Sequence, residues 1–114
     1  MIDGVRIIPL RQIVDERGKI MHMLKATDPH FIRFGEIYFS CSWPGAIKAW
    51  HIHQTMTVNN AVIAGRAKLV LYDLREGSPT QGELQEVFLA RTTIASSRSR
   101  LALPMAIRLM ATKW

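Results

Sequence analysis

The sequence holds one cysteine, Cys41, among 114 residues, so no disulfide can form within the chain. A lone thiol fits a reducing compartment, and a small buried residue is the expected role for it. No apolar run approaches the roughly 18 residues of a membrane span, so no membrane partner is expected. The opening MIDGVRIIPLR carries Asp3 and lacks a long apolar core, which does not fit a signal peptide. The cytoplasm is therefore the expected location. Acidic residues are missing from one part of the chain only. Met1 to Ala90 holds ten Lys/Arg against nine Asp/Glu, whereas Arg91 to Trp114 holds five bases and no acid. The net charge of +6 is thus a property of the tail, and the body is near neutral. A basic tail without a recognition motif gives no reason to expect a nucleic-acid partner.

What is present is enough for one folded domain. Hydrophobic residues make up 48% of the chain, well above the range of disordered segments. Short apolar runs alternate with turn signals. Val5-Arg6-Ile7-Ile8 reads as a first strand, Asp15-Glu16-Arg17-Gly18 as a turn, and Lys19 to Lys25 as a second strand. Glu36 to Ser42 is rich in strand formers. Pro44-Gly45 is a turn, and AIKAWHIH follows as a strand. Arg66 to Arg75 is the strongest strand signal, Glu76 to Gly82 a loop, and Glu83 to Ala90 a further strand. No helical period is sustained through Ala90, so an all-β sandwich or barrel is expected. Residues 1–90 form its body. Residues 91–114 are an atypical basic tail of the same domain, with Thr92 to Arg100 reading as loop.

Lys48-Ala49-Trp50-His51-Ile52-His53-Gln54 raises the question of function. On a strand, residues i and i+2 share a face, so His51 and His53 are expected to point together into the interior, His51 deepest. Such a pair starts a metal site or places one base in a cavity. The bland alternative is one satisfied histidine and one exposed one.

The spacing Gly45, His51, His53, Gly65 resembles the first motif of the cupins. Their glutamate ligand is missing, since Thr57-Val58 stands in its place, and no histidine follows His53. Two ligands fall short of the three usual for a catalytic zinc, so no metal is expected. Three blocks in order resemble the dTDP-4-dehydrorhamnose 3,5-epimerase family of metal-free cupins: DERG, PGAIKAWHIHQ, and AGRAKLVLYDLREGSPTQGE. Together they span about Val5 to Leu89. The resemblance implies a cupin-type jelly-roll barrel with incomplete C-terminal strands, no cofactor, a nucleoside-diphosphate sugar as ligand, and a homodimer. It places His51 as the base that removes a proton beside a ketone, since imidazoles titrate near neutral pH. It makes Arg17, Lys48 and His53 substrate-binding residues, with Arg17 and Lys48 on the diphosphate.

Departures from the family pattern run alongside. The glutamate expected after D-x-R-G is His22, the arginine before the catalytic histidine is Lys48, and the lysine near the enolate aligns with Val58. After Ala90 there is no Tyr, Asp or Glu to match the family's acid and its orienting carboxylate. The tail composition fits a truncated or shifted reading frame. Three readings stay open: an epimerase of nucleotide-linked 4-keto sugars, a non-catalytic sugar-nucleotide binder or defective copy, and a metal cupin of other chemistry.

Overall fold

The computed structural model describes residues 1–52, 56–90, 93–97 and 108–111. Among them every regular element is a strand: β1 (Val5–Pro9), β2 (Gln12–Asp15), β3 (Gly18–Met21), β4 (Ile47–Lys48), β5 (Val58–Ala61), β6 (Ala67–Tyr72), β7 (Leu84–Leu89), β8 (Thr93–Ser97) and β9 (Arg108–Ala111). They form a three-stranded sheet ordered β1-β8-β5, a four-stranded sheet ordered β4-β9-β6-β7, and the separate hairpin β2-β3. All pairings are antiparallel.

The core lies between the two larger sheets. Ile2 and Val5 come from the first sheet's end, and Leu69, Leu71, Val87 and Leu89 from β6 and β7, with Val58 and Val62 packed on this cluster. Leu69, Leu71 and Asp73 recur at the strand period of two, which is why one face of this run is sealed. Each aliphatic side chain so covered contributes roughly 1.5–3 kcal/mol. The chain start is tied to the far sheet. Ile2 N donates to Gln85 Oε1 at 2.9 Å, and Asp3 N to Thr80 Oγ1 at 3.0 Å.

The hairpin turn at DERG forms as its residues suggest. Asp15 Oδ1 accepts from Arg17 N at 2.8 Å, and Gly18 takes a φ of 143°, which a side chain resists. β3, however, stops at Met21 rather than Lys25. Four further expectations need correction. Glu36 to Ser42 pairs with no strand among the described residues, because strand-forming side chains cannot make a strand without a ladder partner. The expected strand AIKAWHIH is paired only at Ile47–Lys48. Thr93–Ser97, assigned to a loop, is instead the middle strand of the first sheet. A strand hydrogen-bonded on both sides holds residues of poor strand propensity such as Ser and Ala. Cys41 is exposed rather than buried, since it lies on the unpaired 36–42 segment.

Candidate functional site

The two larger sheets are linked at two places. At one, the bond from Ile2 to Gln85 joins the β1 end to the edge strand β7. At the other, the edge strands β4 and β5 are consecutive in the chain, joined by residues 49–57. His51 stands on that connection. The register tells which way the edge strands face. Lys48 is opposite Leu109 of β9, which is opposite the sealed Leu69 of β6. Lys48 therefore belongs to the inner row of the four-stranded sheet, and Ile47 to the outer row with Lys68.

The Lys48 ammonium is held from the neighbouring segment. It donates to Ser40 Oγ at 2.9 Å and to the Cys41 carbonyl at 2.6 Å. An ammonium has three donors, so one remains for an anionic oxygen. This contact ties the unpaired aromatic stretch to the inner row at β4. No spacing rule links residue 40 to residue 48, so the sequence alone did not reveal it.

His51 lies three residues beyond Lys48. It is exposed, as are Trp50 and Ile52 on either side of it. The expectation of a histidine deep inside on a strand is thus corrected: β4 ends at Lys48, and beyond it the chain leaves the sheet. His53 lies outside the described residues. Arg17 sits at the tip of the separate hairpin, its side chain 83% exposed, with Nη2 on Asp15 Oδ2 at 2.6 Å. That pairing holds the Asp15 carboxyl below its ordinary value. The structure brings Lys48 and His51 to one side of the sandwich and leaves Arg17 on an element that neither large sheet pairs with. Among the described residues, no group of three His, Cys, Asp or Glu is placed to hold a metal ion.

The third sequence block is structural scaffolding. Asp73 is fully buried, and its carboxylate accepts from Arg75 Nε and Nη2 at 3.0 and 2.9 Å. Ser78 Oγ and Thr80 Oγ1 donate to it at 2.7 Å each. Burial alone pushes this carboxyl up, but these four bonds and a fifth from Arg75 N at 3.0 Å outweigh it and hold it far below the usual carboxylate range. Arg75 also donates to the Asp3 carbonyl at 2.8 Å, so the block clamps the chain start.

Known proteins share this architecture. A dTDP sugar isomerase from Desulfovibrio desulfuricans G20 superimposes with a TM-score of 0.87 at 39% sequence identity, covering 97% of this chain and 70% of that one. The chain belongs to the dTDP-sugar epimerase family. Its fold is the family's cupin-type jelly roll, here with a short edge at β4. The spore coat polysaccharide biosynthesis protein SpsL of Bacillus subtilis is 37% identical over 89 residues, 78% of this chain and 59% of that protein. The probable low-salt glycan biosynthesis epimerase Agl13 of Haloferax volcanii is 35% identical over 85 residues, 73% of this chain and 54% of that protein. The chain thus spans little more than half the length of these two family members. No family model matches it.

Proposed function

We propose that this chain binds a nucleoside diphosphate carrying a 4-keto-6-deoxy sugar, in the cytoplasm, and labilises a proton beside the ketone with His51. The observation that carries this reading is the placement of His51 three residues beyond an inward-row Lys48, on the connection between the edges of both sheets. The family likeness supplies the substrate class. Solved relatives include a 4-keto-6-deoxy sugar epimerase, NovW, and a 3′-monoepimerase, ChmJ, held in complex with dTDP.

The chemistry asks little of the protein at its first step. The C–H bond beside the ketone breaks, the proton passes to the His51 imidazole, and the electron pair moves to the carbonyl oxygen. Lys48, with one donor remaining, sits well for a diphosphate oxygen. Return of a proton from the opposite face needs an acid. Of the two tyrosines, Tyr38 lies on the segment that Lys48 ties down, whereas Tyr72 alternates away from the sealed Leu71 on β6. Tyr38 is therefore the better candidate.

A second reading has its own observation. Residues 91–114 hold no Tyr, Asp or Glu, so within this stretch no group can serve as the acid or as an orienting carboxylate. A chain that binds the sugar nucleotide and exchanges its proton slowly, without efficient inversion, fits this composition. Solvent deuterium separates the readings. Incubated in D2O with dTDP-4-keto-6-deoxyglucose, the chain is expected to introduce deuterium at C3 or C5, and His51→Asn to abolish this while leaving dTDP binding intact. Equal exchange in the His51→Asn protein removes the base assignment. Turnover on the order of 1–10³ s⁻¹ removes the slow-exchange reading.

A further inference from the structure

Among the described residues, four buried side-chain atoms lack a hydrogen-bond partner: His30 Nε2, Ser42 Oγ, Asn59 Oδ1 and Asn60 Nδ2. Leaving such a group unmade costs about 1–3 kcal/mol, so each one asks for a reason. Asn60 is distinguished by where its strand puts it. Val5 of β1 and Val58 of β5 both stand opposite Ser97 of β8, and both belong to the core. One step along the same face, Ile7 and Asn60 both stand opposite Ala95. Asn60 is thus an inward residue between two core-packed valines, Val58 and Val62.

The interior opens at this level. Along β1 the inward residue Val5 is 6% exposed, while the next inward residue, Ile7, is 45% exposed. β5 is also an edge strand, and the connection that brings the chain to it carries His51. The unpartnered Nδ2 therefore sits on the inward face of the edge strand that follows the His51 connection in the chain.

The reaction needs a donor of this kind. When the proton leaves the carbon beside the ketone, charge collects on the carbonyl oxygen, and a fixed donor at that oxygen lowers the barrier. Val58, the preceding inward residue of β5, cannot donate. The Asn60 amide can, and because it is already stripped of water it costs little more to desolvate when an oxygen reaches it.

We propose that Asn60 donates its Nδ2–H to the C4 carbonyl oxygen of the bound keto sugar and stabilises the enolate formed there. This rests on the epimerase-type reading above. The test compares the unmodified chain with Asn60→Leu, Asn60→Gln and, on the opposite face of β5, Asn59→Leu. Three quantities are followed: deuterium entry into dTDP-4-keto-6-deoxyglucose by NMR, dTDP affinity by calorimetry, and the melting temperature. Asn60→Leu is expected to slow exchange about 10²–10³-fold, the usual effect of losing one such donor. Its dTDP affinity is expected to hold, and its melting temperature to hold or rise, because an unpaired amide has been removed. Asn60→Gln should recover part of the rate, and Asn59→Leu should match the unmodified chain. Unchanged exchange in Asn60→Leu overturns the proposal. So does a rate that falls only in step with dTDP affinity and melting temperature, which marks a structural role. If the unmodified chain binds the keto sugar without exchanging it, the His51 reading fails while Asn60 remains under test. Its preference for the keto sugar over dTDP-glucose must then shrink about tenfold in Asn60→Leu, the size of one hydrogen bond. An intact preference overturns the proposal, and a chain that binds no dTDP compound sinks both readings.

Discussion

Asp73 shows how a single side chain can hold distant parts of a fold together. It is fully buried, carries its charge, and satisfies that charge with an arginine and two hydroxyls. Removing one partner of a buried pair leaves the other uncompensated, so Asp73→Ala is expected to lose about 3–5 kcal/mol in urea titrations. Acid acts on the same group. Its pKa is lower folded than unfolded, so the stability it supplies is complete above the unfolded value of about 4 and drains away as the pH falls below that. The slope of stability against pH in this acid range should flatten in Asp73→Asn. An unchanged slope would place the acid sensitivity elsewhere. The sequence displayed this block as a D-x-R-x-x-S-P-T-x-G pattern, but nothing in the spacing showed that its aspartate is sealed. That depends on the chain start folding back from seventy-odd residues away, a long-range contact that no local pattern encodes.

At the scale of elements, legibility followed burial. β6 was readable because its apolar, strand-forming residues match a strand that is covered on both sides. β8 was not, because Thr93–Ser97 draws its stability from ladders on both flanks rather than from its own composition. The histidine pair misled for the opposite reason. The rule that i and i+2 share a face holds only where the strand continues, and β4 ends at Lys48. These points lead to paired proline substitutions. Ala95→Pro removes a ladder donor from a central strand and is expected to cost about 3 kcal/mol or more. Glu76→Pro falls before Gly77, whose φ of 74° marks the third position of a turn closed by Ser78 N on the Arg75 carbonyl. Proline suits that second position, so this variant should keep or gain about 0.4–1 kcal/mol. Thermal melts followed by circular dichroism distinguish the two. A tolerated Ala95→Pro would show that β8 is not a central strand in solution.

For the whole molecule, the unpaired 36–42 segment and its flanks matter most. Phe34, Ile37, Phe39 and Trp43 are 68–78% exposed in the first three and 85% in the last. Monomeric proteins seldom leave a contiguous apolar surface of this kind uncovered. A homodimer in which a second copy covers this stretch is the arrangement proposed here, since closed pairs bury a self-complementary patch on both copies. Sedimentation at micromolar concentration is expected to give a dimer, and Phe39→Glu combined with Trp43→Glu a monomer. A monomeric unmodified chain would count against the arrangement.

The placing of β8 and β9 has a consequence for the nascent chain. β8 fills the gap between β1 and β5, and β9 the gap between β4 and β6. Val5 can meet Ser97 only after the ribosome has added more than ninety residues, and Ile47 must likewise wait for Met110. Of the two larger sheets, only the β6-β7 ladder can close early. The first sheet is open through its middle until synthesis passes Ser97, and the second until it passes Ala111. A chain wired in this order completes its sheets only late in synthesis, and until then its unpaired edges are open to whatever meets them first.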